Sequence, residues 1–231
     1  MKTVVIACQT IYDELNMAIN ETRCEYPVIW LDSEYHLNPD RLRKKLQQEI
    51  DSQKNVDNII LAYGFCGNAI LGLIASTANL IFPKTDDCIS LLLCKPEGKL
   101  QRLKDAYYLT RGWIKSPKSF MMDYKYAIER YGEEKAIKIF RYMLKNYNKL
   151  ILIDTGAYSV EDCFNEAKKI AEITGLELII EKGDLWLLKK MLTGPYDDNF
   201  CIVNRGEKIN ITHLGYNFNA QTNYQTLNLS L

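Results

Sequence analysis

The sequence predicts an α/β fold: an open, mostly parallel sheet flanked by helices, with Rossmann-like βαβ halves and a helical insertion in the middle. Three observations predict it. Short β-rich apolar runs alternate with stretches of helical spacing. The runs at Val4–Ala7, Ile59–Tyr63 and Leu150–Ile153 are continuously apolar, as strands covered on both faces are. Each also runs into a small-residue turn, which is the pattern of parallel strands and is read as architecture, not as duplication.

Taken in order, Thr3–Ala7 is a strand and Ile11–Ile19 a helix. Pro27–Leu31 is a second strand. Asn38-Pro39 opens a helix, with asparagine as cap, proline in the first turn, and Leu42, Leu46 and Ile50 repeating every fourth residue. Asn58–Tyr63 is a third strand, ending in Gly64-Phe65-Cys66-Gly67-Asn68. A helix is expected over Ala69–Ala75, a strand over Asn79–Phe82, and a helix over Ile89–Leu93 opened by Asp86-Asp87-Cys88. Residues 95–148 form an aromatic and helical insertion containing Tyr107-Tyr108-Leu109-Thr110-Arg111-Gly112-Trp113. Its helices run over Phe120–Tyr131 and Glu133–Asn146. Alternation resumes with strand Leu150–Asp154, helix Ser159–Thr174, strand Leu176–Glu181, helix Asp184–Leu192 and strand Phe200–Val203. The expected divisions are therefore an α/β half over 1–94, the insertion, a second α/β half over 149–209, and a polar, flexible tail over 210–231.

Composition excludes several functions. Lysine plus arginine equals aspartate plus glutamate, 29 each, so no global field draws the chain to nucleic acid or an anionic membrane. No apolar run reaches the ~18 residues needed to cross a bilayer. The amino terminus enters a strand directly, without the pattern of a secretory leader, so a cytoplasmic protein is expected. Reducing conditions disfavour disulfides, and the odd count of seven cysteines poses the question of which thiols are ligands or nucleophiles.

In an open parallel sheet, ligands bind outside the carboxyl ends of the strands. Cys8 ends the first strand, Cys66 follows the third, and Cys88 follows the fourth, so all three are expected on one rim. Helix N-termini there would lower their pKa values. Three convergent thiolates suit zinc, or an iron–sulfur cluster with one iron open. No Cys-x-x-Cys pair is present, and free cysteine also serves as core filling, the reading that suits Cys163 and Cys201. Cys24 and Cys94 are weaker candidates. Gly64, Gly67 and Asn68 form a turn able to bring backbone close to a bound cofactor, although it matches neither the Walker pattern nor Gly-x-Gly-x-x-Gly. Arg111, Asp154 and Asp184 are second-rank candidates for orientation or proton transfer. Asp154-Thr155-Gly156 occurs once, which argues against an aspartic dyad. His36 precedes a helix cap, and a Cys–His hydrolase would need it beside a rim cysteine.

Together, Cys8, Gly64-Phe65-Cys66-Gly67-Asn68, Asp87-Cys88-Ile89, Tyr107-Tyr108-x-Thr110-x-Gly112-Trp113, Gly183-Asp184-Leu185 and Asp197-Asp198-x-Phe200 resemble, in order, the domain of unknown function 1638 family. The resemblance spans residues 3–206. It implies that the family's cysteine pattern falls on Cys8, Cys66 and Cys88. Because family members often accompany corrinoid-dependent methyltransferase systems, it also implies a setting in anaerobic one-carbon metabolism. One departure stands out: Asp86 occupies a place where the pattern carries histidine. The expected function is thus a metal- or iron–sulfur-binding protein, or an enzyme built on such a site, acting on a small-molecule substrate by Lewis-acid action. The alternatives are a non-enzymatic partner of a corrinoid protein or methyltransferase, and a cysteine-nucleophile transferase. An oligomer is compatible with each.

Overall fold

The computed structural model describes residues 1–96 and 102–214. The chain forms β1 (Thr3–Cys8), α1 (Tyr12–Thr22), β2 (Val28–Leu31), α2 (Pro39–Ser52), β3 (Asn58–Ala62), β4 (Asn79–Pro83) and α3 (Cys88–Leu93). There follow β5 (Ala106–Leu109), α4 (Arg111–Ile114), α5 (Phe120–Tyr131), α6 (Glu133–Met143), β6 (Lys149–Asp154), α7 (Glu161–Thr174), β7 (Glu177–Lys182), α8 (Trp186–Thr193) and β8 (Phe200–Val203). The strands divide between two sheets, ordered β2-β1-β3-β4-β8 and β5-β6-β7. Every pairing is parallel except β4 with β8. The fold is therefore α/β with mostly parallel sheets, as the continuous apolar runs require.

Local chemistry explains the boundaries. Asn38 accepts hydrogen bonds from the amides of Asp40 and Arg41, both at 3.0 Å, and Pro39 follows where no amide is needed. Leu42, Leu46 and Ile50 line the buried face of α2. β1 and β3 lie inside their sheet, and every residue of each is buried. The main core joins that sheet to residues of α1, α2 and α8. A separate core lies between β6 and α7.

Two segments differ from expectation. In place of a helix over Ala69–Ala75, residues Ala69–Gly72 form turns and Ile74 makes an antiparallel bridge with Lys208. Gly72, at φ +90°, interrupts the helical path. The neighbouring amides find partners on a distant strand-like segment instead: Gly72 donates to Ile209, Ala75 to Glu207, and Ile209 to Leu73. Second, Ala106–Leu109, within the aromatic stretch, is β5 and pairs with β6. The polar tail expected over 210–231 lies outside the described residues from 215 onward; Ile211–Leu214 is a 3₁₀ turn that buries Leu214. Among the described residues no helix is long and apolar enough to cross a membrane.

The carboxyl end of β1 is bonded to the segment that follows β5. Gly112 sits so close to Thr10 that a Cβ would lie 2.1 Å from the Thr10 carbonyl oxygen. The Thr110 hydroxyl donates to that same oxygen, and Ser33 bonds Ser116 across the junction at 2.7 Å. The Asp184 amide donates to the Leu92 carbonyl at 2.7 Å.

Candidate metal centre

Four consecutive strand ends of the larger sheet converge. Cys8 is the last residue of β1, His36 lies in the 3₁₀ turn after β2, Cys66 in the turn after β3, and Cys88 opens α3 after β4. Cys8 Sγ and His36 Nε2 stand 2.8 Å apart, and Cys88 Sγ lies 3.8 Å from the same nitrogen. The ligand atoms of Cys8, His36 and Cys88 all fall within 4.8 Å of one another, so this group could hold a metal ion. Cys66 Sγ lies 3.9 Å from Cys88 Sγ but outside that mutual group. Cys8 and Cys88 are buried, whereas His36 and Cys66 are half-buried and mark the accessible side.

The local sequence builds this geometry. Cys8 Sγ accepts from the Thr10 hydroxyl at 3.0 Å and the Thr10 amide at 3.4 Å. The turn carrying Cys66 is bonded to the loop carrying Cys88: Phe65 donates to the Thr85 carbonyl at 2.7 Å and Cys66 to the Asp86 carbonyl at 2.8 Å. That approach requires Gly64, since a Cβ there would lie 2.5–2.7 Å from three backbone atoms of Asp87. Cys66 itself adopts φ +46°, a conformation a side chain rarely takes, followed by Gly67 at +64° and Asn68 at +66°. The Asp87 carboxylate caps α3, accepting from the amide and hydroxyl of Ser90, both at 2.9 Å.

Burial and the neighbouring thiols together set the electrostatics. It pushes the Cys8 thiol well above its ordinary range, with Cys88 adding and His36 opposing. Cys88 is also raised, first by its contact with Cys66, with burial adding to it. For Cys8 and Cys88 the expected lowering by helix N-termini is thus outweighed. Burial pulls His36 down, but Cys88 and Cys8 more than compensate and lift it from 6.5 to about 11. A thiolate here needs a cation beside it, whether imidazolium or metal. Trp113 meets the His36 ring edge-on at 5.6 Å, and Tyr63 stacks on it at 6.1 Å. The Tyr63 hydroxyl is buried and has no hydrogen-bond partner among the described residues. Burial first, then the nearby cysteines, hold its proton on well above the usual phenol range.

The remaining sequence candidates are engaged with protein partners. Arg111 faces Asp13 at 3.4 Å. Asp154 binds Lys182 at 2.5 Å, which holds its carboxyl below the usual range, and it also accepts from the Gly156 amide. Asp184 caps the Trp186 amide at 2.7 Å. Gly64 approaches protein backbone, Gly67 faces the Pro39 ring, and the Asn68 carbonyl accepts from Arg43. Cys94, Cys163 and Cys201 are buried, and Cys24 packs against the main core. The ligand set read from the sequence leaves out His36, which it offers only as a hydrolase partner for a rim cysteine. Its one signal was its place after β2, just ahead of the Asn38 cap, on the rim where the cysteines were sought. An imidazole thus reaches the cysteines from a different loop than the one carrying Asp86.

Fold and site together define an α/β protein with a Cys–His–Cys group, suited to a metal ion, at the carboxyl rim of a parallel sheet. The chain belongs to the family described as "Protein of unknown function (DUF1638)", whose model matches residues 30–192. That span is shorter than the resemblance over 3–206; it includes His36, Cys66 and Cys88 and begins after Cys8. No curated protein and no solved structure matches the chain.

Proposed function

We propose that Cys8, His36 and Cys88 bind one zinc ion with a fourth position open to a small-molecule substrate, which the metal activates as a Lewis acid. The carrying observation is the mutual distance of the three ligand atoms. With Zn–S of ~2.3 Å and Zn–N of ~2.0 Å in a tetrahedron, ligand sulfurs stand about 3.8 Å apart and sulfur from nitrogen about 3.5 Å. The 3.8 Å between Cys88 and His36 is near that value, and the shorter Cys8–His36 contact opens by less than an ångström to admit the ion. Two thiolates and a neutral imidazole balance the ion's double charge within a buried site. An iron–sulfur cluster fits less well, because it spreads its thiolates over separate irons and these donors gather about one point. The family resemblance supplies the setting, corrinoid-linked methyl and one-carbon metabolism. A cytoplasmic location accords with reduced ligand thiols.

Anaerobic purification followed by elemental analysis tests this reading. One zinc per chain is expected, with loss in Cys88→Ser and His36→Ala. Substoichiometric metal in the unaltered protein would overturn it.

A second reading, docking on a corrinoid protein or its methyltransferase, is favoured by the exposed side chains of Met122, Tyr126, Tyr131, Ile139 and Tyr142 on α5 and α6. Co-purification that survives replacement of the cysteines would support it.

A further inference from the structure

Tyr63 stands against the candidate ligand set with its polar atom unpartnered among the described residues. It directly follows β3, is fully buried, and stacks on the ring of His36, yet its hydroxyl has no partner among the described residues. Buried hydroxyls are paired in folded proteins, so an unpaired one beside a candidate ligand set marks the place of an absent partner.

Cys66 indicates what that partner is. Its sulfur stands 3.9 Å from that of Cys88, near the spacing of two sulfurs on one zinc, but does not join the mutual group. The half-buried side of the centre thus already seats one sulfur beside Cys88 without closing the mutual group. The donor set is soft, which favours a soft incoming ligand. An incoming thiolate would also leave the buried centre one negative charge in excess, and a buried anion needs a hydrogen-bond donor. A buried phenol hydroxyl with no other partner is such a donor.

Resting on the metal-site reading, we infer that the substrate is a small thiol, bound as thiolate at the open position, and that the Tyr63 hydroxyl donates a hydrogen bond that positions it. Binding moves one proton: the thiol releases it to solvent, its sulfur takes the open position, and Tyr63 keeps its own. Tyr63 is thus a positioning residue that also selects an anionic ligand.

The test uses full-length protein loaded anaerobically with cobalt(II), titrated with 2-mercaptoethanol and, separately, with ethanol. The thiol is expected to add intensity to the sulfur-to-cobalt charge-transfer band, and ethanol to leave it unchanged. In Tyr63→Phe the cobalt affinity and melting temperature are retained, while half-saturation needs about tenfold more thiol, the loss of one hydrogen bond to a charged atom. Equal thiol affinity in the variant overturns the role of Tyr63, and its hydroxyl then answers to an ordered water. A wild-type spectrum that ignores thiol overturns the substrate class while leaving the metal site standing. Failure to bind cobalt overturns the metal reading itself, and this inference with it. If Tyr63→Phe loses cobalt or melts early, Tyr63 is a structural support and the inference fails.

Discussion

Replacing Gly64 by alanine places a methyl carbon 2.5 Å from the Asp87 nitrogen, 2.6 Å from its Cα and 2.7 Å from its carbonyl carbon. All three are backbone atoms, so no side chain can swing aside. Gly64 is absent from the positive-φ residues, and alanine meets no backbone strain of its own; the close approach is the entire cause. Restoring an ordinary contact of ~3.5 Å requires the turn and the loop to part by about 1 Å. That movement strains the hydrogen bonds from Phe65 to Thr85 and from Cys66 to Asp86, at about 1 kcal/mol each. Overpacking adds about 1–3 kcal/mol. The sum, about 3–5 kcal/mol, is expected as a lower urea midpoint in metal-free protein at unchanged slope. Cys88 moves with its loop, away from Cys8 and His36, so zinc affinity measured by chelator competition should fall about 10–100-fold. Wild-type stability together with wild-type zinc affinity in this variant would refute the reasoning.

Two further predictions concern the junction with the segment after β5. Glu14 is fully buried, and burial first, then Asp13, lift its carboxyl from 4.5 to about 7 against its own backbone amide, Thr155 and Arg111. Between those values the folded state holds more protons than the unfolded chain, so stability is greatest below pH 4.5 for this group and falls as pH rises toward 7, by roughly 3 kcal/mol in all. Glu14→Gln should remove that slope and raise the denaturation midpoint at pH 8, and an identical pH profile in both proteins would count against it. Gly112→Ala sets a Cβ 2.1 Å from the carbonyl oxygen of Thr10, whose hydroxyl donates to Cys8, and should cost on the order of 3 kcal/mol or more. A thermal scan checks this, and an unchanged melting temperature would contradict it.

Local rules were enough for much of this molecule. The continuous apolar runs of β1, β3 and β6 announced covered parallel strands, because a strand buried on both faces has no polar position to spare. Asn38-Pro39 announced α2, because capping is chemistry between neighbours. Cys8, Cys66 and Cys88 could be placed on one rim because parallel strands share a direction, and their carboxyl ends therefore share an edge.

Tertiary structure decided what depends on partners distant in sequence. Ala69–Ala75 had a helical composition, but the amides of Gly72 and Ala75 are taken by Ile209 and Glu207 and that of Ile74 by Gln47, which no local pattern records. β5 lay hidden in the aromatic stretch because its partner strand begins some forty residues later. At the rim, strand order could bring the sulfurs to one edge without ranking them. The structure set Cys8 and Cys88 around His36 and held Cys66 just beyond, a choice made by Gly64, the Asp86 carbonyl and the turn after β2. Sequence thus determined the rim and its thiols, since element direction is a local property. Which atoms meet there to within an ångström follows from loop packing, and only the folded chain sets that.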